Sequence, residues 1–144
     1  MAAVVIIDQL VKYKVNATLV PGQSVPVIKD ILSITYVRNT GAAFSIMRGK
    51  RFLLIALPVI LIALLVMVYL RYGRSAHFTL KLAIALIIAG GIGNLTDRIL
   101  RGYVVDMFDF KVWPVFNVAD IAVCAGCILL LVYVIFFDKR SSGA

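Results

Sequence analysis

Glutamate is absent from this chain of 144 residues, and all seven of its acidic residues are aspartates. The chain also has a single histidine, His77, and two cysteines, Cys124 and Cys127. So few histidine and cysteine side chains offer little material for a metal site or a histidine-assisted nucleophile, and we expect no metal or cofactor. Ser45 has no histidine near it, and the nucleophile pattern G-x-S-x-G does not occur. Acid–base chemistry is therefore left chiefly to aspartate.

Charged residues are also scarce, at 15%, whereas 62% of the residues are hydrophobic and the mean hydropathy is +1.02. This composition excludes a soluble globular domain and predicts an integral membrane protein. The formal net charge of +8 comes from basic residues that are scattered over short loops and helix ends. A nucleic-acid-binding surface would cluster them on one face, so we expect membrane lipids, and no nucleic acid, as their partners.

Four apolar stretches predict membrane-spanning helices within a single domain that covers residues 1–144. The expected spans are residues 1–17, 52–70, 78–96 and 116–137. The second span is the clearest, because nineteen residues without a charge nearly cover a hydrocarbon core of about 30 Å. The first span is weak, because charged residues interrupt it.

The connection formed by residues 18–51 is polar, and we expect it to lie on the membrane surface. Residues 31–37 within it are rich in β-branched and aromatic side chains, which is typical of a strand. The connection formed by residues 97–115 is also strand-like, and its Trp113 suits a membrane interface. The predicted fold is an all-α membrane bundle of four transmembrane helices with a small β-sheet or half-barrel.

Helical spacing places polar residues on shared faces of three predicted helices. They are Asp8 and Lys12 on the first helix, Asn94, Asp97 and Arg98 on the third, and Asn117 and Asp120 on the fourth. Such faces must meet one another or line a wet cavity. For Asp8 with Lys12, and for Asp97 with Arg98, we expect ion pairs that hold the bundle together.

Asp106 and Asp120 differ from these residues, because the nearby sequence gives neither of them an obvious cationic partner. If the two face each other in a low dielectric, both cannot ionise, so they share one proton. One carboxylate can then take a proton from water while the other donates one to a scissile carbonyl oxygen. This pattern predicts an intramembrane aspartic hydrolase. Asp109 follows Asp106 by three residues in a predicted strand, so we expect it on the opposite side and solvated.

Three alternatives stay open. A proton- or cation-conducting protein could use Asp106 and Asp120 as relay groups, but it would need carboxylates distributed across the bilayer. A thiol redox protein could use Cys124 and Cys127, although their position inside an apolar run favours packing residues. Asp97 could also replace Asp106 as a member of the dyad.

Five motifs together resemble those of the lipoprotein signal peptidases, also called signal peptidase II. They occur in order with the four spans between them, and they cover nearly the whole chain. They are Asp8-Gln-x-x-Lys12, Arg38-Asn-Thr-Gly-Ala-Ala-Phe-Ser45, Gly90-Gly-x-Gly-Asn94-x-x-Asp97-Arg98, Gly102-x-Val-Val-Asp106 and Phe116-Asn117-x-Ala119-Asp120. Any one motif would be weak, but five in register are a strong signal.

The resemblance implies an aspartic endopeptidase that removes the signal peptide of prolipoproteins on the N-terminal side of a diacylglyceryl-modified cysteine. It implies Asp106 and Asp120 as the catalytic pair. The positions that match a substrate-binding or dyad-supporting role are Asn39, Gly41, Asn94, Arg98 and Asn117. The positions that match a structural polar role are Asp8, Lys12 and Asp97.

The resemblance also implies a multi-pass protein of the bacterial cytoplasmic membrane with its active site on the extracytoplasmic face. We expect it to act as a monomer. The basic residues point the other way, because the two long connections carry eight of them and the opposite side carries five. The positive-inside rule would therefore place the active face in the cytoplasm. We follow the resemblance, since basic residues beside an active site can serve lipid headgroups and substrate.

Overall fold

The structure is a computed structural model that describes residues 1–41, 51–73 and 75–137. Within these residues the chain forms four helices and one sheet of three strands. In chain order they are α1 (Ala2–Thr18), β1 (Ser24–Ile28), β2 (Leu32–Asn39), α2 (Arg51–Tyr72), α3 (Phe78–Leu100), β3 (Val104–Asp109) and α4 (Val118–Phe136).

Three helices are long and apolar enough to cross a membrane. They cover Phe52–Tyr72, Phe78–Leu100 and Val118–Phe136, with 21, 23 and 19 residues. Large apolar side chains such as Leu57 and Ile128 are exposed on them, as expected where a surface faces lipid rather than water. The second, third and fourth predicted spans are therefore confirmed as apolar helices of membrane-spanning length.

The helix α1 does not belong to this set, so the prediction of a fourth transmembrane span stays a prediction. It has 17 residues, and its buried residues are Asp8, Lys12 and Val15. The polar face that it turns inward is what lowers its hydropathy. At about 1.5 Å per residue, α1 is somewhat shorter than a hydrocarbon core of about 30 Å.

Two of the helices begin with a side-chain cap that the local sequence supplies. The His77 side chain accepts a hydrogen bond from the backbone N–H of Thr79 at the start of α3. At the start of α4, Asn117 and Asp120 form a reciprocal capping box, in which each side chain accepts from the other residue's backbone N–H. Side-chain caps satisfy N–H groups that a helix leaves without partners at its first turn. The capping box also fixes where Asp120 stands.

The three strands form an antiparallel sheet in the order β1, β2, β3. The strand predicted over residues 31–37 is β2, and the strand-like segment after α3 is β3. In the register of β2 and β3, Val37 is opposite Asp106 and Asn39 is opposite Val104. The pairing of β2 with β3 thereby brings Asn39 beside Asp106, although the two residues are far apart in the chain.

One face of this sheet packs on α1. Val15 of α1 joins Tyr36, Val105 and Met107 in a buried cluster. Because side chains alternate across a strand, the two neighbours of Asp106 in β3 point into this cluster and the Asp106 carboxylate points away from it. The sheet thus directs the Asp106 carboxylate away from α1 and towards the start of α4.

Glycines allow α3 to lie close to α1 and α4, as the Gly-rich segment of α3 predicts. A Cβ atom at Gly90 would collide with the backbone carbonyl oxygen of Ala119. A Cβ atom at Gly93 would lie 2.6 Å from Oδ2 of Asp8. From the α4 side, a Cβ atom at Gly126 would lie 2.6 Å from Cγ1 of Ile87. Only glycine leaves room for these approaches.

Candidate active site

Asp106 and Asp120 line the same cavity, which has a volume of about 600 Å³. Asp106 comes from β3 and Asp120 from the first turn of α4, so the site joins the sheet to the bundle. The other polar side chains on its wall are Asn39, Asn94 and Arg98. Its apolar wall includes Trp113, Pro114, Phe116 and Ile121. The cavity therefore combines a polar end with a surface that suits an apolar substrate.

Asp106 is 2% exposed and accepts a hydrogen bond on each carboxylate oxygen. Asn39 Nδ2 donates to its Oδ2 at 2.9 Å, and Asn117 Nδ2 donates to its Oδ1 at 2.6 Å. Asn39 is held in turn, because its own Oδ1 accepts from the backbone N–H of Gly41 at 3.0 Å. Asn39 thus contacts Asp106 directly, and Gly41 contacts Asn39.

Asp120 is half-buried and also accepts two hydrogen bonds. Asn94 Nδ2 donates to its Oδ1 at 2.7 Å, and the backbone N–H of Asn117 donates to its Oδ2 at 3.2 Å. Asn117 serves both aspartates, since it donates to Asp106 while its Oδ1 accepts from the Asp120 backbone N–H at 2.9 Å. The two carboxylates are thereby held in one hydrogen-bonded network.

Burial raises the pKa of Asp106 from its ordinary value of 3.8 to about 6. The hydrogen bonds from Asn39 and Asn117 act against this shift, whereas the negative charge of Asp120 adds to it. An aspartate with such a pKa keeps its proton into the mildly acidic range. The negative charge of Asp120 is therefore one of the causes that favour the protonated form of Asp106.

A second polar cluster, which we call the Lys12 cluster, lies behind the cavity and consists of Asp8, Lys12, Asn94, Asp97 and Arg101. Lys12 Nζ lies 2.9 Å from Asp8 Oδ2, 3.1 Å from Asp97 Oδ2 and 3.0 Å from Asn94 Oδ1. Asp97 also pairs with Arg101. The side chains of Asp8, Lys12 and Asp97 are fully buried. Ion pairing and hydrogen bonding offset part of the free-energy cost of removing these charges from water.

The Lys12 cluster also contacts the backbone on which the dyad stands. Asp8 Oδ1 accepts from the N–H of Ala119 at 2.9 Å, next to Asp120. Asp97 Oδ2 accepts from the N–H of Val105 at 3.1 Å, next to Asp106. The expected ion pair of Asp8 with Lys12 is confirmed. For Asp97, where we expected Arg98, the structure gives ion pairs with Lys12 and Arg101.

Asp97 is separated from the cavity by this pairing. It is fully buried, and it is not among the described residues that line the cavity. The geometry therefore favours Asp106 over Asp97 as the partner of Asp120. The relay alternative is not favoured either, because Asp106 and Asp120 meet in one cavity instead of lying at different depths.

The structure also shows the surroundings of Asp109 and of the two cysteines. Asp109 is not simply solvated, because Lys111 Nζ lies 2.7 Å from its Oδ2 and Thr35 Oγ1 donates to the same oxygen at 2.8 Å. Cys124 and Cys127, which the sequence suggests are packing residues of an apolar span, are free thiols exposed on α4. The end of the motif around Ser45 lies outside the described residues.

Sequence reasoning assigns no role to several residues of the site. Gln9 Nε2 donates to Asp8 Oδ2 and to the carbonyl of Gly93, each at 3.1 Å. Cys124 lines the cavity one turn after Asp120. The spacing of the sequence could have identified Arg101 as an ion-pair partner of Asp97, because it stands four residues later on the same helix face. Nothing local in the sequence indicates that Phe116 forms part of the cavity wall.

The fold and the site define a class of protein. It is a multi-pass membrane protein with a small sheet beside its helix bundle, and two aspartates that accept hydrogen bonds from asparagines line the cavity between them. Residues 1–136 match the family model of signal peptidase (SPase) II. The chain belongs to the signal peptidase II family, and its members are peptidases.

Individual relatives agree with this assignment. The chain is 46% identical over 130 residues to the lipoprotein signal peptidase of Halothermothrix orenii, covering 90% of this chain and 88% of that one. It is 42% identical over 127 residues to that of Moorella thermoacetica, covering 88% of this chain and 84% of the relative. A bacterial membrane enzyme solved by the in meso method at 2.3 Å is similar with a TM-score of 0.89 and 34% identity, over 99% of this chain and 89% of that one.

Proposed function

We propose that this protein is an aspartic endopeptidase that removes the signal peptide of prolipoproteins, with Asp106 and Asp120 as its catalytic dyad. The relatives named lipoprotein signal peptidases support the reaction class and the substrate class. The observation that carries the choice of residues is that both carboxylates line one cavity and are bridged by Asn117. The cut falls on the N-terminal side of a diacylglyceryl-modified cysteine.

In this mechanism the two aspartates differ in protonation. Asp120 stands in the first turn of α4 and accepts a hydrogen bond from the backbone N–H of Asn117. Asp106, whose pKa is raised, carries the shared proton. Asp120 then takes a proton from a water molecule as that water attacks the scissile carbonyl. Asp106 gives its proton to the carbonyl oxygen, so the tetrahedral intermediate forms without a free oxyanion.

Other cavity residues bind the substrate. The Arg98 guanidinium lines the polar end, where it suits peptide carbonyl oxygens as a charged donor. The exposed indole of Trp113, at 65% exposure, suits the headgroup level of a bilayer. The acyl chains of the modified cysteine stay in the hydrocarbon while the peptide lies over the sheet.

The protein acts as a monomer in the bacterial cytoplasmic membrane, with the cavity on the extracytoplasmic face. Its N-terminal helix α1 serves as a fourth span. Support for that span comes from the large side chains that α1 leaves exposed opposite its polar face, which are Ile6, Ile7, Leu10 and Tyr13. A helix with an apolar outer face and a polar inner face suits the edge of a membrane bundle.

The test is cleavage of a diacylglyceryl-modified prolipoprotein, and separately of its unlipidated precursor, by purified enzyme. We expect cleavage of the lipidated form alone, lost in Asp106→Asn and in Asp120→Asn. Asp97→Asn should weaken cleavage without abolishing it, because Asp97 supports the backbone of β3 and does not reach the cavity. Asp109→Asn is the matched control on the same strand and should retain activity. Cleavage by either dyad variant at the wild-type rate would overturn the assignment of Asp106 and Asp120.

A further inference from the structure

The buried ammonium of Lys12 makes one contact that charge balance does not require. Two carboxylates, Asp8 and Asp97, and two cations, Lys12 and Arg101, already cancel within the Lys12 cluster. The third N–H of Lys12 is directed to an uncharged group, the side-chain oxygen of Asn94, at 3.0 Å. An ammonium has three donors and no acceptor, so each of its contacts must be an acceptor atom.

This contact determines which way the Asn94 amide faces. Its Oδ1 lies 3.0 Å from Lys12 Nζ and 3.0 Å from Asn117 Nδ2, and both of those groups donate only. Turning the amide over would place its N–H₂ group against the ammonium. Lys12 and Asn117 together therefore require Asn94 Nδ2 to face Asp120 Oδ1, which lies 2.7 Å away.

We infer that Lys12 is a positioning residue for the dyad, which acts through Asn94 to hold a hydrogen-bond donor on Asp120. This inference rests on the proposed function, because it assumes that Asp120 is catalytic. Lys12 is fully buried and does not line the cavity among the described residues, so it touches neither substrate nor water there. Its effect should therefore fall on the rate of the chemical step and leave substrate binding nearly unchanged.

The route continues to the other aspartate. Asn117 Nδ2 donates both to Asn94 Oδ1 and to Asp106 Oδ1. The ammonium thus fixes one amide, and this amide together with Asn117 orients both carboxylates. Without Lys12, Asn117 alone would hold this orientation of Asn94, and a turned amide would present its oxygen to Asp120 and repel the carboxylate.

The variant that tests this role removes the ammonium without leaving an unbalanced buried charge. In the double variant Lys12→Met with Asp8→Asn, Asp97 keeps Arg101, and the asparagine that replaces Asp8 retains a side-chain oxygen for the Ala119 N–H. We expect kcat to fall by about 100-fold or more, since a misplaced catalytic group costs about that much, with KM within about threefold of wild type. Asp8→Asn alone serves as the reference and should lose far less. Rates are compared per mole of folded protein.

A cycle with Asn94→Ala separates positioning from a merely structural role. If Lys12 acts through Asn94, adding the double variant to an Asn94→Ala background should lower kcat by less than about threefold further. Independent effects would multiply, so a second fall of about 100-fold would overturn the inference. Asp109→Asn with Lys111→Asn is the control, because it removes a lysine–aspartate pair near the end of β3 and should leave kcat within about twofold.

The inference and the proposed function fail in different ways. If Asp106→Asn and Asp120→Asn cleave normally, the proposed dyad is wrong. If those variants are inactive while the Lys12 double variant folds and keeps the kcat of Asp8→Asn, the dyad stands and the role of Lys12 is refuted.

Discussion

Asp106 and Asp120 both accept hydrogen bonds from asparagines, yet their surroundings differ. Asp106 is almost completely buried in a strand, whereas Asp120 is half-buried in the first turn of a helix. Burial favours the neutral acid, and this effect raises the pKa of Asp106. In the proposed mechanism Asp106 is the proton donor and Asp120 is the proton acceptor.

The first prediction at the residue scale concerns pH and stability. The pKa of Asp106 is about 6 in the folded protein against 3.8 ordinarily, so Asp106 contributes stability below about pH 4 that is lost as the pH rises through about 6. Asp106→Asn removes this loss. Between about pH 4 and pH 8 the stability of the variant relative to wild type should therefore rise by about 2–3 kcal/mol. Thermal or denaturant unfolding in detergent at both pH values measures it, and parallel pH profiles would contradict the raised pKa.

A second prediction separates two roles of Asn117, which caps α4 and donates to Asp106. Asn117→Ala removes both roles and should cost about 1–2 kcal/mol of stability together with most activity. Asn117→Ser keeps an N-cap oxygen but lacks the amide donor. It should recover most of the stability and little of the kcat. Unfolding and cleavage assays on the same preparations measure the two roles separately. Full activity in the serine variant would mean that the amide donor to Asp106 is dispensable.

Some of these contacts can be predicted from the sequence and others cannot. Helical spacing pairs Asp8 with Lys12 correctly, because it puts residues four apart on one face. The contacts from Lys12 to Asn94 and Asp97 join α1 to α3, and no local pattern encodes them. The sequence prediction pairs Asp97 with its neighbour Arg98, although Arg101, one full turn away, is a partner in the structure.

At the scale of elements, the close approach of α3 to its neighbours decides where the dyad stands. Gly90 of α3 lies against the Ala119 carbonyl, one residue before Asp120. Widening that contact would move the first turn of α4 away from Asn94 and Asp106. The glycines therefore affect catalytic geometry as well as helix packing.

We predict that Gly90→Ala destabilises the protein by about 1–3 kcal/mol, because the added methyl meets rigid backbone. It should also lower kcat, since Asp120 moves with its turn. Gly91→Ala is the matched control on the adjacent residue. There the new Cβ lies 3.2 Å from the flexible Cδ1 end of Ile62, which can shift. Helix propensity favours alanine at both positions, so equal losses of stability in the two variants would show that the contact with Ala119 does not set the cost.

Most elements follow from sequence patterns, but their bounds and pairing do not. An uncharged run of nineteen residues identifies α2 at once, and the apolar run that follows Asp120 identifies α4. The strand β2 follows from its β-branched and aromatic residues. The sequence pattern does not single out β1, because Pro26 interrupts it and Pro is uncommon within strands. The edge position of β1 in the sheet explains why proline is tolerated there.

At the scale of the whole molecule, the polar groups collect on one side of the bundle. The sheet, the cavity and the turn before α4 lie together at one end, while the α2–α3 turn, with Ser75, joins the opposite helix ends. The charge count places the cavity end of the molecule in the cytoplasm, whereas the family resemblance places the same end outside. Composition cannot decide between them, because basic residues serve both topology and ligand binding.

Labelling with a membrane-impermeant maleimide tests this orientation. In a Cys124→Ala, Cys127→Ala background, Val27→Cys places a thiol on the exposed strand β1, and Ser75→Cys places one in the exposed α2–α3 turn. With the cavity facing outward, intact spheroplasts should label Val27→Cys at once and Ser75→Cys only after permeabilisation. The reverse pattern would mean that the charge count gives the true orientation.

A third thiol, at Ala2→Cys, tests the fourth span. If α1 crosses the bilayer, Ala2 lies on the side of Ser75 and is labelled only after permeabilisation. If α1 instead lies along the outer surface, Ala2→Cys is labelled together with Val27→Cys. We expect the first result, because Asp8, Lys12 and the face opposite them divide α1 into a polar side towards the dyad and an apolar side towards lipid. A spanning helix places the exposed Ile6 and Leu10 against hydrocarbon and keeps the buried Asp8 and Lys12 towards the bundle interior, where charged side chains in membrane helices are found.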